Sequence, residues 1–326
     1  MLLLLAGAVV ISCAEKASKD DFITQPDTSE AEIKLPTTYT YTPHNSDEFT
    51  KLEHFSEDFN STIDEANWEI CTDAFAVWSF KTENVRVEDG DLNLTAKYDY
   101  HMPGSTQFYF SSGMLRSREP VVYGYYEARI KGADVWPGVC PAFWLYSMLD
   151  KASVLPREEN TLVYNEIDVI EIQQIASNKR MMACNMHVMV LLSDGEGGFT
   201  NDFVTAGILP EMGQNEFLVD WDAEDDYHLY ACENRPDSVV FYIDNERVAS
   251  KPNYFWHLDM YLTLSMGMRT PYETYVGGRQ PVETTEEAAT AAGFPTDMKI
   301  DYIRSYTRDY SQFASSSKPF DRTEFE

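Results

Sequence analysis

Basic residues are scarce in this chain: 25 Lys and Arg stand against 54 Asp and Glu, a formal net charge of −29 over 326 residues. Such a field repels polyanions, so nucleic acid is not an expected partner. An anionic polysaccharide would have to be held by local, well-placed cations. Salt screens the field beyond about 10 Å, so the acidity is compatible with a saline, marine setting. A long apolar run is missing too. Residues 2–11 of "MLLLLAGAVVISCAEKASKDD" make a run of ten, whereas a spanning helix needs roughly 20. Cysteine is low at five. There is no CxxC and no Cys/His cluster, so zinc is not expected. Helix-period segments are few, which argues against a helical bundle.

The apolar run reads as a signal peptide over residues 1–12, although the usual basic start is missing. It ends in Ser12 and Cys13, as a bacterial lipoprotein signal does, and Cys13 is the expected lipidation site; an ordinary signal peptide is the alternative. The expected location is the bacterial outer membrane, reached through that lipid anchor and facing either the surface or the periplasm. Without the lipid the protein would be secreted. Residues 14–45 are polar, rich in Thr, Ser, Asp and Pro, and read as a flexible tether. Cys71, Cys140, Cys184 and Cys232 remain, either as two disulfides or as four solitary buried thiols.

From residue 46 the texture changes. Hydrophobic residues are 44% and aromatics 13% of the chain, enough for a sizeable core and favourable to strands. "VRVEDGDLNLTAKY" alternates around an acidic Gly turn. "YGYYEARIKG", "HLYACEN" and "SVVFYIDNERVAS" alternate likewise, and Asp244-Asn245 marks a hairpin turn. "PAFWLYSML", 141–149, is continuously apolar, as in a strand covered on both faces. "TTEEAATAAG", 284–293, is the best helix candidate, ending at Gly293. Many short strands and no internal repeat or second boundary predict an all-β fold, a large antiparallel sandwich over residues 46–310. Residues 311–326 are polar and are expected to fray.

"YNEIDVIEIQQ", 164–174, holds three acids in an apolar run: Glu166, Asp168 and Glu171. In a flat strand the first two share a face and the third points away. One extra residue, a β-bulge, would bring Glu171 to the same side. Three carboxylates so close cannot all ionise at neutral pH. A low-pKa nucleophile beside a raised-pKa acid is what retaining glycoside hydrolysis requires. A solvated acidic edge and a set of calcium ligands are the other readings of these six residues.

The surroundings favour catalysis. The triplet, "VWSFKTENVRVEDGDLNLTAK", "SSGMLRSR", "YGYYEARIKGADVWPGVCPAFWLYS", "YFWHLDMYLTLSMGMRTP" and "GFPTDMKIDYIRSY" resemble glycoside hydrolase family 16 in order and context, over about residues 75–306. The phrases most resemble its κ-carrageenase branch. The resemblance implies a β-jelly-roll of two antiparallel sheets with a concave glycan-binding cleft. It implies Glu166 as nucleophile, Glu171 as acid and then base, Asp168 as helper of Glu166, and His187 in the cleft.

The expected substrate is a sulfated red-algal galactan, foremost κ-carrageenan, cut at β-1,4 linkages by an endo-acting enzyme. Furcellaran, porphyran and agarose are alternatives, because the long loop expected over 193–217 and the short stretch 99–107 depart from the κ-carrageenase pattern. A non-catalytic glycan-binding lipoprotein is the rival from another class. Trp78, Trp144 and Trp256 are the candidates for stacking on sugars. Trp68 and Trp221 read as structural, and Trp136 as a rim residue. Arg269 is the first sulfate candidate, followed by Arg116 and Arg118 and then Arg129 and Lys131. No cofactor is expected, and no catalytic metal; a structural calcium is left open. The protein is expected to be a monomer.

Overall fold

The computed structural model describes residues 47–149, 155, 157–213, 215–276 and 278–325. The signal peptide, Cys13 and the tether lie outside the described residues. Among those described, the chain runs through β1 (Thr50–Lys51), β2 (Trp68–Ile70), β3 (Ala74–Phe75), β4 (Trp78–Phe80), β5 (Val85–Glu88), β6 (Asp91–His101), β7 (Phe108–Ser112), β8 (Met114–Ser117), β9 (Gly124–Lys131) and β10 (Val139–Tyr146). It continues through β11 (Leu162–Glu171), β12 (Met181–Ser193), β13 (Phe199–Thr205), β14 (Glu216–Leu218), β15 (His228–Asn234), β16 (Ser238–Ile243), β17 (Glu246–Pro252), β18 (Tyr261–Met268), β19 (Glu273–Thr274), β20 (Gln280–Pro281) and β21 (Thr296–Thr307).

Two large sheets result. One runs β17-β16-β15-β9-β21-β6-β7-β4-β3, with β1 on β21 and β5 on β6. The other runs β13-β12-β11-β10-β18-β8-β2, with β14 on β12. Pairing is antiparallel along β10, β11, β12 and β18, and parallel between β4 and β7. The expected all-β jelly-roll sandwich is what forms.

Strand alternation builds the core. Phe143, Leu145, Ile167, Ile170, Met186, Leu262 and Leu264 face inward from the eight-stranded sheet. They meet Leu92, Leu94, Ala128, Ile130 and Ile300 of the other, all buried in one cluster. Truncating one of these leucines or isoleucines to alanine would remove about 2–5 kcal/mol. β10 is buried along its length down to Leu145, as its unbroken apolar run predicts. Asp244 and Asn245 take φ of +50° and +67° in the tight turn between β16 and β17. The helix α1 spans Glu286–Ala291 behind its N-cap Thr285, and Gly293 follows in the left-handed region at φ +104°.

The cysteines take the second of their two readings, and the expectation for the last segment is corrected. Cys71, Cys140, Cys184 and Cys232 are four buried free thiols. The last segment does not fray over its described residues. Phe320 is buried, its ring 4.9 Å from Phe325 and 5.6 Å from Phe255, and Arg322 pairs with Asp202 of β13. Two aromatics in a polar stretch suffice to dock it against the body of the protein.

Candidate active site

β11 lies inside the eight-stranded sheet, between β10 and β12. Against β12, Asp168 is opposite Asn185 and Glu171 is opposite Ala183. Three steps on β11 therefore match two on its neighbour, which is a bulge between the second and third acids. The predicted extra residue is present, and Glu171 joins Glu166 and Asp168 on the face away from the core. Directly opposed residues of an antiparallel sheet share a face. One row across that open face is Glu69, Arg116, Thr263, Trp144, Asp168 and Asn185. The next contains Tyr261, Tyr146, Glu166, His187 and Thr205.

Each acid has a distinct environment. Glu166 accepts a hydrogen bond from the Tyr164 hydroxyl, and its Oε1 lies 3.8 Å from His187 Nε2. Burial and the negative charge of Asp168 push Glu166 up to about 8, against the pull of His187 and Tyr164. Asp168 Oδ2 lies 3.2 Å from the same His187 nitrogen. Burial and the charge of Glu171 raise Asp168 well above the usual carboxylate range. Glu166 and Asp168 are thus both held on the protonated side of their ordinary range, and both face the same His187 nitrogen. His187 is fixed by Thr205 Oγ1, 3.1 Å from its Nδ1.

Glu171 is surrounded by donors. Arg269 Nη2 donates to Oε1 at 2.8 Å, and Asn185 and Gln174 each donate to Oε2 at 2.8 Å. Burial alone would raise its pKa, but Arg269 and these bonds hold it below the ordinary value. Donor atoms of Glu166, Asp168 and His187 lie within 4.8 Å of one another, a spacing a divalent cation could bridge. The same three groups form the hydrogen-bonded set just described.

The other sequence candidates divide. Trp144 sits in the acid row, stacks on Tyr146 at 4.5 Å and donates its Nε1–H to Ser265. Trp78 does not line the open face. It is 2% exposed, with Phe75 at 5.3 Å and the Arg279 guanidinium at 5.1 Å covering its ring. Phe75, 40% exposed and 6.4 Å from Trp144, is the ring presented there. Trp256 is fully buried behind the strands. Its Nε1–H donates to the carbonyls of Glu166 and His187 at 2.8 and 3.1 Å. It braces the backbone that carries the acids and is out of reach of a sugar. Trp256→Phe keeps a buried aromatic ring, though a smaller one, and leaves two carbonyls short of a donor. A loss of about 1–3 kcal/mol in chemical denaturation is expected, and an unchanged midpoint would refute the bracing role.

Arg269 is not a free sulfate ligand, because its guanidinium is bonded to Glu171 and to the Met268 carbonyl. Arg116 lies in the acid row but is committed to Glu69 and the Tyr146 hydroxyl. Arg118 falls past the end of β8, tied to the Glu65 carbonyl, away from the row. Arg129 and Lys131 belong to β9 in the other sheet, where they meet Asp301 and the Asp225 carbonyl. Trp68 is fully buried and Trp221 stacks on His228. Trp136, half-buried, donates to the Ile175 carbonyl just past β11.

Tyr164, Tyr146, Asn185 and Phe203 were not singled out from sequence. The first three sit two residues from a named candidate, so strand period alone could have found them. Phe203 lies in the 193–217 stretch, expected to be a loop, which in fact supplies β13 as a further strand of the active sheet.

Two packed, mainly antiparallel sheets with three carboxylates on one face beside stacked aromatics are the arrangement expected of a β-sandwich glycoside hydrolase family. The chain belongs to glycoside hydrolase family 16: residues 49–308 match the family profile described as beta-porphyranase A-D, GH16 domain. A κ-carrageenase of Pseudoalteromonas carrageenovora is 35% identical over 264 residues, 78% of this chain and 63% of that protein. The chain thus spans less than two thirds of that curated relative. A crystal structure of the κ-carrageenase of that organism, in complex with an oligotetrasaccharide of κ-carrageenan, superposes with TM-score 0.71 at 32% identity, covering 85% of this chain and 99% of the other. The κ-carrageenase of Zobellia galactanivorans gives 0.71 at 32%, covering 83% and 99%. Porphyranase B of the same organism, at 19% identity and TM-score 0.58, shares the fold over 83% of this chain and 97% of its own.

Proposed function

We propose that this protein is a retaining endo-hydrolase of a sulfated galactan, foremost κ-carrageenan, acting at β-1,4 linkages. The carrying observation is the bulge that sets Glu166, Asp168 and Glu171 on one face of β11, beside Trp144 and Tyr146. Glu166 attacks the anomeric carbon while Glu171 gives its proton to the departing glycosidic oxygen. Water then attacks the glycosyl-enzyme ester at that carbon, Glu171 taking the proton, and Glu166 leaves as carboxylate. Asp168, held well above the usual carboxylate range, carries a proton, which leaves Glu166 as the carboxylate for attack. Tyr164 stabilises that carboxylate with its hydroxyl.

With Arg269 bonded to Glu171, the ionisation order is the reverse of this, Glu166 raised and Glu171 lowered. Movement of Arg269 away from Glu171 would let that group carry the proton. A sulfate ester on the substrate is suited to draw the guanidinium away, since it offers a strong bidentate acceptor. A second reading, porphyran as substrate, is favoured by the family profile itself. Residues 1–13 support attachment to the outer membrane through a lipid on Cys13; labelling with a radioactive fatty acid, lost on Cys13→Ser, tests it.

The function is tested by incubation with κ-carrageenan, ι-carrageenan, furcellaran, porphyran and agarose. New reducing ends are measured, and the anomer first released is read by NMR. Cleavage of κ-carrageenan with retention supports the reading. Cleavage of porphyran alone moves the substrate, and no cleavage on the panel overturns the hydrolase.

Tyr164→Phe tests the carboxylate pair. Loss of the hydroxyl removes a bond that lowers Glu166. Ionisation of Glu166 then needs a higher pH, so the acid limb of kcat/KM should move to more alkaline pH. An unmoved limb would show that Tyr164 has no hold on the nucleophile.

A further inference from the structure

We propose that Phe203 is a stacking platform for an uncharged sugar ring, forming a subsite on the β12–β13 side of the acids. This rests on the glycan-cleaving reading above and extends it to a second half of the cleft. Phe203 lies opposite Met189, which lies opposite Tyr164. These three form the row next to the one holding Glu166 and His187, on the same open face. The Phe203 ring is 46% exposed. It is nonetheless fixed: it stacks on the His187 ring at 4.9 Å and 25°, with the Tyr164 ring at 6.4 Å. Beneath it, Tyr164, Met189 and Leu191 belong to a satellite apolar cluster separate from the main core. An exposed ring on a rigid strand with a packed base offers the flat apolar surface that the C–H face of a pyranose covers.

The charge around the ring selects the occupant. Its ring neighbours are Tyr164 and His187, and His187 faces Glu166 and Asp168. The adjacent Asp202 points to the other side of β13, where Arg322 is bound to it. A sulfate ester over Phe203 would approach Glu166, which reacts as the carboxylate, whereas a ring presenting only C–H and hydroxyl groups would bring no like charge to it. Phe75, exposed beside the buried Trp144 of β10, presents the corresponding aromatic surface on that side. The reacting carboxylates thus lie between two platforms, as an enzyme cutting within a chain requires.

The test compares wild type, Phe203→Ala and Phe203→Trp. Affinity electrophoresis in gels containing κ-carrageenan, porphyran or agarose reads binding, and reducing-end kinetics read KM, kcat and the pH profile. Expected for Phe203→Ala are about five- to tenfold weaker retention and a matching rise in KM. Its kcat and pH profile should stay unchanged, and Phe203→Trp should restore KM. Retention and KM equal to wild type would overturn the platform. A shifted pH profile at constant KM would overturn it too, since Phe203 would then act through His187. If wild type cuts nothing but Phe203→Ala still weakens retention, the platform stands and the hydrolase reading falls. If wild type neither cuts nor binds, both fall.

Discussion

Glu166→Gln is expected to abolish cleavage and at the same time raise the thermal midpoint at pH 8. The first effect follows from chemistry. An amide cannot form the glycosyl ester, and loss of a nucleophile leaves only residual rates, a decrease on the order of 10³-fold or more. The second follows from linkage. Burial and Asp168 raise Glu166 to about 8 from an ordinary 4.5. A carboxyl raised on folding contributes stability that is fully present below its unfolded value and is lost as pH rises through the folded one. Wild type therefore loses stability between pH 4.5 and 8, and the Gln variant, with nothing to ionise, does not lose that share. The difference in midpoint should be largest at pH 8 and vanish near pH 4.5, measured by scanning calorimetry across that range. A Gln variant that is inactive but no more stable at pH 8 would show that Glu166 ionises freely in the fold. One that still cuts would remove Glu166 from the reaction.

Arg269→Ala is expected to damage both stability and turnover, with the opposite pH signature. Arg269 is the foremost cause holding Glu171 below its ordinary value. A depressed carboxylate contributes stability above its unfolded value, and that contribution is lost as pH falls through the folded one. Removing the guanidinium leaves a buried carboxylate with Asn185 and Gln174 alone. Breaking a buried pair from one side costs about 3–5 kcal/mol. Urea denaturation at pH 7 should show that loss, and the gap to wild type should close as pH falls below 4.5 and through the lowered folded value of Glu171, beneath which that group is neutral in both. Turnover on sulfated galactan should fall by about 10²-fold, because the guanidinium proposed to answer the sulfate is gone. Arg269→Lys keeps a charge without the planar fork, so it should recover more of the stability than of the activity. A stability gap independent of pH would place the role of Arg269 in packing. A loss equal on agarose and κ-carrageenan would detach it from sulfate.

What could be read in the chain follows from period. Residues two apart on a strand share a face, so "EIDVIE" exposes its own irregularity, and the bulge before Glu171 could be predicted from six letters. The same period finds Tyr164 beside Glu166 and Asn185 beside His187. Apolar alternation likewise specified the sandwich, its hairpin at Asp244-Asn245 and the buried β10. Register is a different matter, because it joins residues far apart in sequence. Nothing local says that Arg269 meets Glu171 across 98 positions, or that Trp256 lies behind the strand it resembles a cleft residue of. Whether an indole faces a sugar or a carbonyl depends on which side of a sheet its loop packs. The sequence by itself determined the fold class and the three acids with their common face. Only the tertiary structure decided which groups tune them. Carboxylate pKa values, sulfate-competent arginines and exposed rings such as Phe203 depend on burial and cross-strand neighbours, which exist only once the sheets have paired.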